Sequence, residues 1–357
     1  NRQTVQLQDL DGDGTAEAIA FLADRSHVPT VCVYRQDEEG SYYLFVAIEG
    51  SGSAVSSVEY ADLNGDGAAE LIIAWQAGGD LRQLAVYCLR PETQTQLLSA
   101  DSSAFTVCDL DGDGQEELLN LSIDYGGAST LTRYVFQADD TVRETEAGLS
   151  GGISQVLRMR TGYLSDGSTA LFVESGWGED ELITDVFIAG GEMLANITMT
   201  GGGRSNTLRA GGAFAADING DRVMEIPEST GDVLSWYALD ANGRRTLALT
   251  TYHSFDEGWY LALTEEFLTG NLTVSVSGDV PGETASTFAL DGVPVLTVYT
   301  LTGENRLDRA REEGRFVLGS DGATVYAGEL LAEGLLTEDE IAENFNLIYP
   351  EWQTGDL

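Results

Sequence analysis

Asp9-Leu-Asp-Gly-Asp-Gly-Thr-Ala-Glu17 decides how this chain reads, because it recurs. Asp62-Leu-Asn-Gly-Asp-Gly-Ala-Ala-Glu70, Asp109-Leu-Asp-Gly-Asp-Gly-Gln-Glu-Glu117 and Asp217-Ile-Asn-Gly-Asp-Arg-Val-Met-Glu225 are copies of it. Their first aspartates lie 53, 47 and 108 residues apart, and 108 is two periods of 54, so a degenerate unit belongs near residue 163. There the chain runs Gly162-Tyr-Leu-Ser-Asp-Gly-Ser-Thr-Ala-Leu-Phe-Val173, a strand, a Ser-Asp-Gly turn and a second strand, with the acidic loop lost.

Around the first copy, short runs of strand formers fall at Val5 to Leu10, Glu17 to Leu22, Thr30 to Arg35 and Tyr42 to Ile48. Four short strands per ~50 residues predict an all-β fold, a β-propeller of four-stranded blades. The rhythm continues without acidic loops at Trp259 to Leu263, Leu272 to Val276, Ser286 to Leu290 and Val295 to Thr300, and a further hairpin spans Arg315 to Leu330. At a period of about 52, the 357 residues predict seven blades, with six as the alternative, in a single domain over 1–357. The units are expected to begin near residues 5, 55, 104, 154, 209, 258 and 314. A C-terminal tail over 335–357 opens on Thr337-Glu-Asp-Glu, a helix start with acids in its first turn, and predicts a short helix to Asn346.

Each full loop sets side-chain oxygens at positions 1, 3, 5 and 9, with Gly at 4 and, in three loops, at 6. Calcium takes six to eight oxygens, and alternate residues of a tight turn converge on one point. An EF-hand would need its glutamate at position 12, but those positions are Ala20, Ile73, Asn120 and Glu228; the acid falls at position 9, inside a β-hairpin.

The D-x-[D/N]-x-D-G-x-x-E loop between two strands, at this period, resembles the FG-GAP/VCBS repeats of integrin-like propellers, over roughly residues 1–260. The resemblance implies calcium at Asp9, Asp11, Asp13 and Glu17; at Asp62, Asn64, Asp66 and Glu70; and at Asp109, Asp111, Asp113 and Glu117. The fourth set is Asp217, Asn219, Asp221 and Glu225, where Arg222 replaces the family's glycine and brings both a cation and a strained backbone.

A formal net charge of -41, with all 18 basic residues arginine, repels phosphate backbones and argues against nucleic acid as a partner. No stretch approaches the ~20 apolar residues of a membrane span. The chain opens almost directly on a repeat, as expected where a signal or lipoprotein segment has been removed, so an extracellular or cell-surface location is predicted. Cys32, Cys88 and Cys108 lie in apolar runs and are expected to be buried, unpaired thiols.

His27 and His253 are the only histidines and have no metal spacing. Gly148-Leu-Ser150-Gly-Gly152 matches G-x-S-x-G, but it falls between two units, without the strand-to-helix turn that motif requires. No catalytic residue is assigned. A candidate binding face comes from the loops after each unit's second strand, which set an aromatic beside glycine: Trp75, Tyr125 and Trp177. The reading is a calcium-stabilised binding or scaffold module for a glycan or protein ligand. The alternative is a polysaccharide-active lyase or hydrolase on the same fold, since the many acids leave room for a catalytic pair.

Overall fold

The computed structural model describes residues 5–23, 28–79, 81–124 and 128–348. The described residues up to Leu208 form one compact unit and those from Arg209 onward a second.

The first unit holds four antiparallel meanders in chain order. Sheet one is β1 (Val5–Gln8), β2 (Glu17–Ala23), β3 (Pro29–Gln36) and β4 (Tyr42–Glu49). Sheet two is β5 (Val55–Ala61), β6 (Glu70–Gly78), β7 (Leu81–Arg90) and β8 (Thr93–Ser102). Sheet three is β9 (Ala104–Cys108), β10 (Glu117–Ser122), β11 (Thr130–Phe136) and β12 (Val142–Gly148). Sheet four is β13 (Ile153–Tyr163), β14 (Thr169–Trp177), β15 (Glu181–Gly190) and β16 (Met193–Asn196), so the degenerate unit keeps its four strands.

Consecutive sheets stack face to face, and the period of two along a strand divides its side chains between the neighbours. In β6, Leu71, Ile73 and Trp75 pack against Val31, Val33 and Ile48 of sheet one, whereas Ile72 and Ala74 pack with Leu118 and Phe136 of sheet three. A strand covered on both faces needs an unbroken apolar run, which is why β6 reads Leu71-Ile-Ile-Ala-Trp75 and β14 reads Ala170-Leu-Phe-Val173. Outer strands such as β12, Val142-Arg-Glu-Thr-Glu-Ala-Gly148, stay largely exposed and alternate. These are blades of the propeller type, in an all-β chain.

The second unit opens with the two-residue strand β17 (Arg209–Ala210). Sheet five contains β18 (Glu225–Thr230), β19 (Val233–Leu239), β20 (Arg245–Ser254) and β21 (Trp259–Ala262). After α1 (Glu265–Leu268), sheet six runs β22 (Leu272–Val280), β23 (Glu283–Leu290) and β24 (Val293–Leu301). Beyond α2 (Arg306–Arg309), the hairpin β25 (Arg315–Asp321) and β26 (Thr324–Leu330) joins sheet six through β26, in the order β22-β23-β24-β26-β25. Helix α3 (Glu338–Asn344) carries a complete capping box between Thr337 and Glu340, and β27 (Phe345–Leu347) then pairs with β21.

The strand phase expected in this half is therefore corrected. Trp259 to Leu263 falls in sheet five, where β21 pairs with β20, instead of opening a new unit, and the Arg315 to Leu330 hairpin is the edge of sheet six instead of a seventh blade. Leu301 and Ala310 cover Val325 and Ala327 of that hairpin, which leaves it no apolar face for a separate sheet. Six sheets stand among the described residues. Trp259, Phe267, Phe288, Leu296, Ile341 and Phe345 form the core shared by sheets five and six and α3.

His253, on β20, has both ring nitrogens buried without a hydrogen-bond partner among the described residues, and burial lowers its pKa to about 4. The unfolded imidazole takes a proton near its ordinary 6.5, which the folded site refuses until about 4. The stability this contributes is present above pH 6.5 and lost as pH falls through that window. Between pH 7 and pH 4, urea melts of the wild type should lose up to about 3 kcal/mol more than those of His253→Phe; parallel pH profiles would refute the assignment.

Candidate metal centre

All four acidic loops fold on one hydrogen-bond plan. The aspartate at position 1 accepts from the backbone N–H of position 6: Gly14 to Asp9 at 2.9 Å, Gly67 to Asp62 at 2.9 Å, Gly114 to Asp109 at 2.9 Å, and Arg222 to Asp217 at 2.9 Å. The aspartate at position 5 accepts from the N–H of position 7, as Asp113 does from Gln115 at 2.8 Å and Asp221 from Val223 at 2.8 Å. The glutamate at position 9 begins the next strand and turns one oxygen back to the N–H of position 2: Leu10 to Glu17 at 2.7 Å, Leu63 to Glu70 at 2.9 Å, Leu110 to Glu117 at 2.7 Å and Ile218 to Glu225 at 3.1 Å. The turn needs a left-handed residue at position 6. Gly14, Gly67 and Gly114 supply it at φ 85°, 90° and 91°, and Arg222 adopts it at 76° despite its Cβ.

The loops therefore gather carboxylates around a buried glutamate. Glu17, Glu70, Glu117 and Glu225 are 3%, 1%, 1% and 0% exposed, so each charge is taken out of water. Burial is the leading cause that raises the pKa of all four, and it carries Glu70 and Glu225 to about 7 against the pull of the Leu63 and Ile218 N–H groups. Carboxylate oxygens of Asp9, Asp11 and Glu17, and of Asp109, Asp111, Asp113 and Glu117, lie within 4.8 Å of one another. Asp66 and Glu70 do so with the Cys88 thiol, which burial and Glu70 push up to about 12; a hard cation takes oxygen ligands in preference to such a sulfur.

Arginines answer part of this charge, and the sequence reading missed them. Arg133 of β11 donates through Nη2 to Asp111 and Glu117, both at 2.5 Å, and through Nη1 to the Gly191 carbonyl at 2.7 Å. Arg35 of β3 lies 3.2 Å from Asp11 and 3.6 Å from Glu17, and donates to the carbonyls of Leu89, Arg90 and Pro91 at 3.1, 3.1 and 2.8 Å. Arg90 of β7 reaches Asp66 at 3.3 Å and grips Asp140 with two hydrogen bonds, at 2.5 and 2.8 Å. In each case a third-strand arginine joins its own sheet's acidic loop to the turn between the third and fourth strands of the next sheet. No arginine reaches Glu225, whose Oε1 is buried without a partner among the described residues. Asp111 Oδ1 is in the same condition. An all-oxygen donor set with buried, unanswered oxygens fits a hard divalent cation.

The aromatic face divides differently. Trp75 lies within β6, 2% exposed in the core between sheets one and two, and a Cβ on Gly50 would overlap its ring. It is a core residue, not a stacking anchor. Trp177 ends β14 half-buried against the core of sheets three and four; its Nε1 donates to the Gly151 carbonyl at 3.0 Å, and Arg204 lies 5.0 Å from the ring centre. Tyr125 lies outside the described residues, as does His27. Ser150 is buried and donates to Asp185 at 2.8 Å, a carboxylate that also accepts from Asn196 and Ser205 and so ties together the elements of sheet four. Cys32, Cys88 and Cys108 are unpaired, the first two buried and the third partly so.

Residues 9–73 match the family of the FG-GAP-like repeat. The chain carries an FG-GAP-like repeat. That repeat takes in the first two acidic loops and the start of β6. No curated protein matches the chain. Among solved structures, it is similar to a candidate 6-phosphogluconolactonase from Bacteroides uniformis at 13% identity, over 83% of this chain and 80% of that one, with a TM-score of 0.34. An exotype rhamnogalacturonan lyase is similar at 14% identity over 80% of this chain, which spans about half (51%) of the lyase, with a TM-score of 0.38. A protein from Lactobacillus plantarum is similar at 15% identity over 70% and 82%, with a TM-score of 0.29. Among the described residues, no helix is long and apolar enough to cross a membrane.

Two substitutions test this site. Arg133→Met strands the Asp111 and Glu117 charges and should destabilise the protein by about 3–5 kcal/mol in urea melts, with part of the loss recovered at millimolar divalent cation. A loss that the cation does not touch would show that these acids are not ligands. Arg222→Gly relieves the left-handed strain and should stabilise the protein by about 1 kcal/mol; an unchanged melting curve would refute the strain.

Proposed function

We propose that the chain is a calcium-stapled propeller-type module, working outside the cell or at its surface, that holds a glycan or protein ligand. The observation that carries this reading is the fourth acidic loop. It keeps the hydrogen-bond plan of the others without a guanidinium, and leaves Glu225 Oε1 buried and unanswered. Side-chain oxygens of Asp217, Asn219, Asp221 and Glu225 would hold the ion there. The corresponding sets are Asp9, Asp11, Asp13 and Glu17; Asp62, Asn64, Asp66 and Glu70; and Asp109, Asp111, Asp113 and Glu117.

Bound calcium would supply a point charge that offsets the repulsion of three or four clustered carboxylates and ties the loop to the strand beginning at position 9. The chain's own residues set the conditions: the backbone N–H groups orient the carboxylates, the position-6 residue closes the turn, and the surrounding core keeps water from the glutamate. In the second and fourth loops, Asn64 and Asn219 donate their amide nitrogens to Glu70 and Asp221, both at 3.0 Å; turning the amide over presents its oxygen to a cation. The net charge of -41 makes the module a natural sink for divalent cations and a poor partner for polyanions. Extracellular calcium stands at millimolar levels that saturate sites of modest affinity.

Thermal melts in millimolar calcium and in excess chelator test the staple. Chelation should lower Tm by several degrees, and titration calorimetry should show saturable calcium uptake. Superimposable melts with no calcium heat would dispose of the reading. Capture of glycans on an array in calcium, lost in chelator, is the result expected for the binding role.

A further inference from the structure

The third acidic loop is already occupied by a side chain of the protein itself. Carboxylate oxygens of Asp109, Asp111, Asp113 and Glu117 lie within 4.8 Å of one another, and Arg133 Nη2 stands 2.5 Å from an oxygen of Asp111 and 2.5 Å from one of Glu117. Calcium binds oxygens at about 2.3–2.6 Å, so this one nitrogen holds two of the loop's oxygens at the reach of the ion. For those oxygens the guanidinium and a cation exclude each other. Arg35 stands farther from the acids of the first loop, 3.2 Å from Asp11 and 3.6 Å from Glu17, and Glu225 Oε1 of the fourth loop meets no donor among the described residues.

Arg133 has a second attachment and a place to go. Its Nη1 donates to the Gly191 carbonyl at 2.7 Å, in the turn between β15 and β16, so the group that fills the loop also latches sheet three to sheet four. A cavity of about 630 Å3 borders Arg133 and is lined also by Asp111, Asp113, Glu144, Gly191 and Glu192. Glu144 and Glu192 are exposed carboxylates, able to receive a guanidinium that leaves the loop. Arg143 already lies 3.6 Å from Glu192 with both side chains largely exposed, and such pairs exchange at little cost. The loop's apparent affinity for calcium is then its intrinsic affinity scaled by the fraction of molecules in which Arg133 is away.

We propose that Arg133 is a built-in competitor for the calcium of the third loop. When calcium is scarce, its guanidinium holds Asp111, Glu117 and the Gly191 carbonyl together; when the loop is loaded, the same side chain turns out into the cavity and the latch between sheets three and four opens. Linkage makes the effect reciprocal, so removing the guanidinium tightens calcium and calcium loosens the turn. The inference rests on the calcium reading above and adds its regulation.

Hydrogen exchange of the whole chain, followed by mass spectrometry across a calcium titration, reads the loop and the turn separately. In the wild type, the peptide over residues 109–117 should become protected at about tenfold higher calcium than the peptide over 9–17. The turn over 190–193 should exchange faster across the same range that protects 109–117. Arg133→Met should protect 109–117 at about tenfold lower calcium than the wild type does, with no calcium response left at the turn. Arg143→Met removes an equal charge beside the same cavity without touching the acids, and should leave the midpoint within about twofold of the wild type. Equal shifts in the two variants would reduce the effect to net charge and overturn the competitor. Loops one and three filling together, with an unchanging turn, would overturn it in the wild type alone, which keeps the test decisive if Arg133→Met does not fold. If 109–117 ignores calcium in every variant while 9–17 and 217–225 respond, the competitor falls and the calcium reading stands. If no loop responds, both fall.

Discussion

A carboxylate placed where water cannot reach it must meet a positive partner or take up a proton, and the first unit and the start of the second are organised around that constraint. The ninth residue of each acidic loop is the first residue of a buried strand, so Glu17, Glu70, Glu117 and Glu225 enter the core by the same step that starts the sheet. One oxygen of each is spent on a backbone N–H of its own loop, which fixes the hairpin. The other oxygen is what remains to be answered, and the loops answer it in different ways.

Removing a charged partner from a buried pair is far more damaging than the pair's net worth, because the survivor stays desolvated. Arg35 and Arg133 accordingly do more than neutralise their glutamates. Each also donates through its Nη groups to carbonyls at the end of the next sheet's third strand and the turn that follows, turning a local countercharge into a tie between sheets. The second loop substitutes an asparagine amide for the guanidinium at Glu70, and Arg90 passes instead to Asp66 and Asp140. The fourth loop has neither, and Glu225 Oε1 is left buried without a partner among the described residues.

Much of this was legible in the residues. The spacing of the acids fixed the loops, and the strand formers around them matched β1 to β4 to within two residues at each end. The missing acids near residue 163 removed no strand, because sheet four is held by apolar contacts with sheet three. The phase slipped where the loops stop marking it: Trp259 reads equally well as the end of one meander or the start of the next, and only packing against Phe288 and Phe345 decides. Trp75 was misplaced for a physical reason that the sequence did carry. Five apolar residues in a row, Leu71 to Trp75, mark a strand covered on both faces, and that outweighs the glycines that follow. The arginines left a fainter trace, a lone cation inside a third strand that is otherwise buried, as in Thr130-Leu-Thr-Arg-Tyr-Val-Phe136. Which acids each would meet depends on register across neighbouring strands, and no spacing along the chain encodes it.

The pairing of β27 with β21 sets an order of assembly. Phe345 lies opposite Leu261, so the outermost ladder of sheet five waits for residues made after the whole of sheet six. Sheets one to three, by contrast, are each a meander of consecutive strands that is complete once its own roughly fifty residues have left the ribosome. During synthesis sheets one to three therefore close their ladders one by one, while β21 keeps an open hydrogen-bonding edge until β27 is made. An edge open for that long is a place where nascent chains pair with each other, which makes the short tail at Phe345–Leu347 a guard against aggregation as well as a fifth strand.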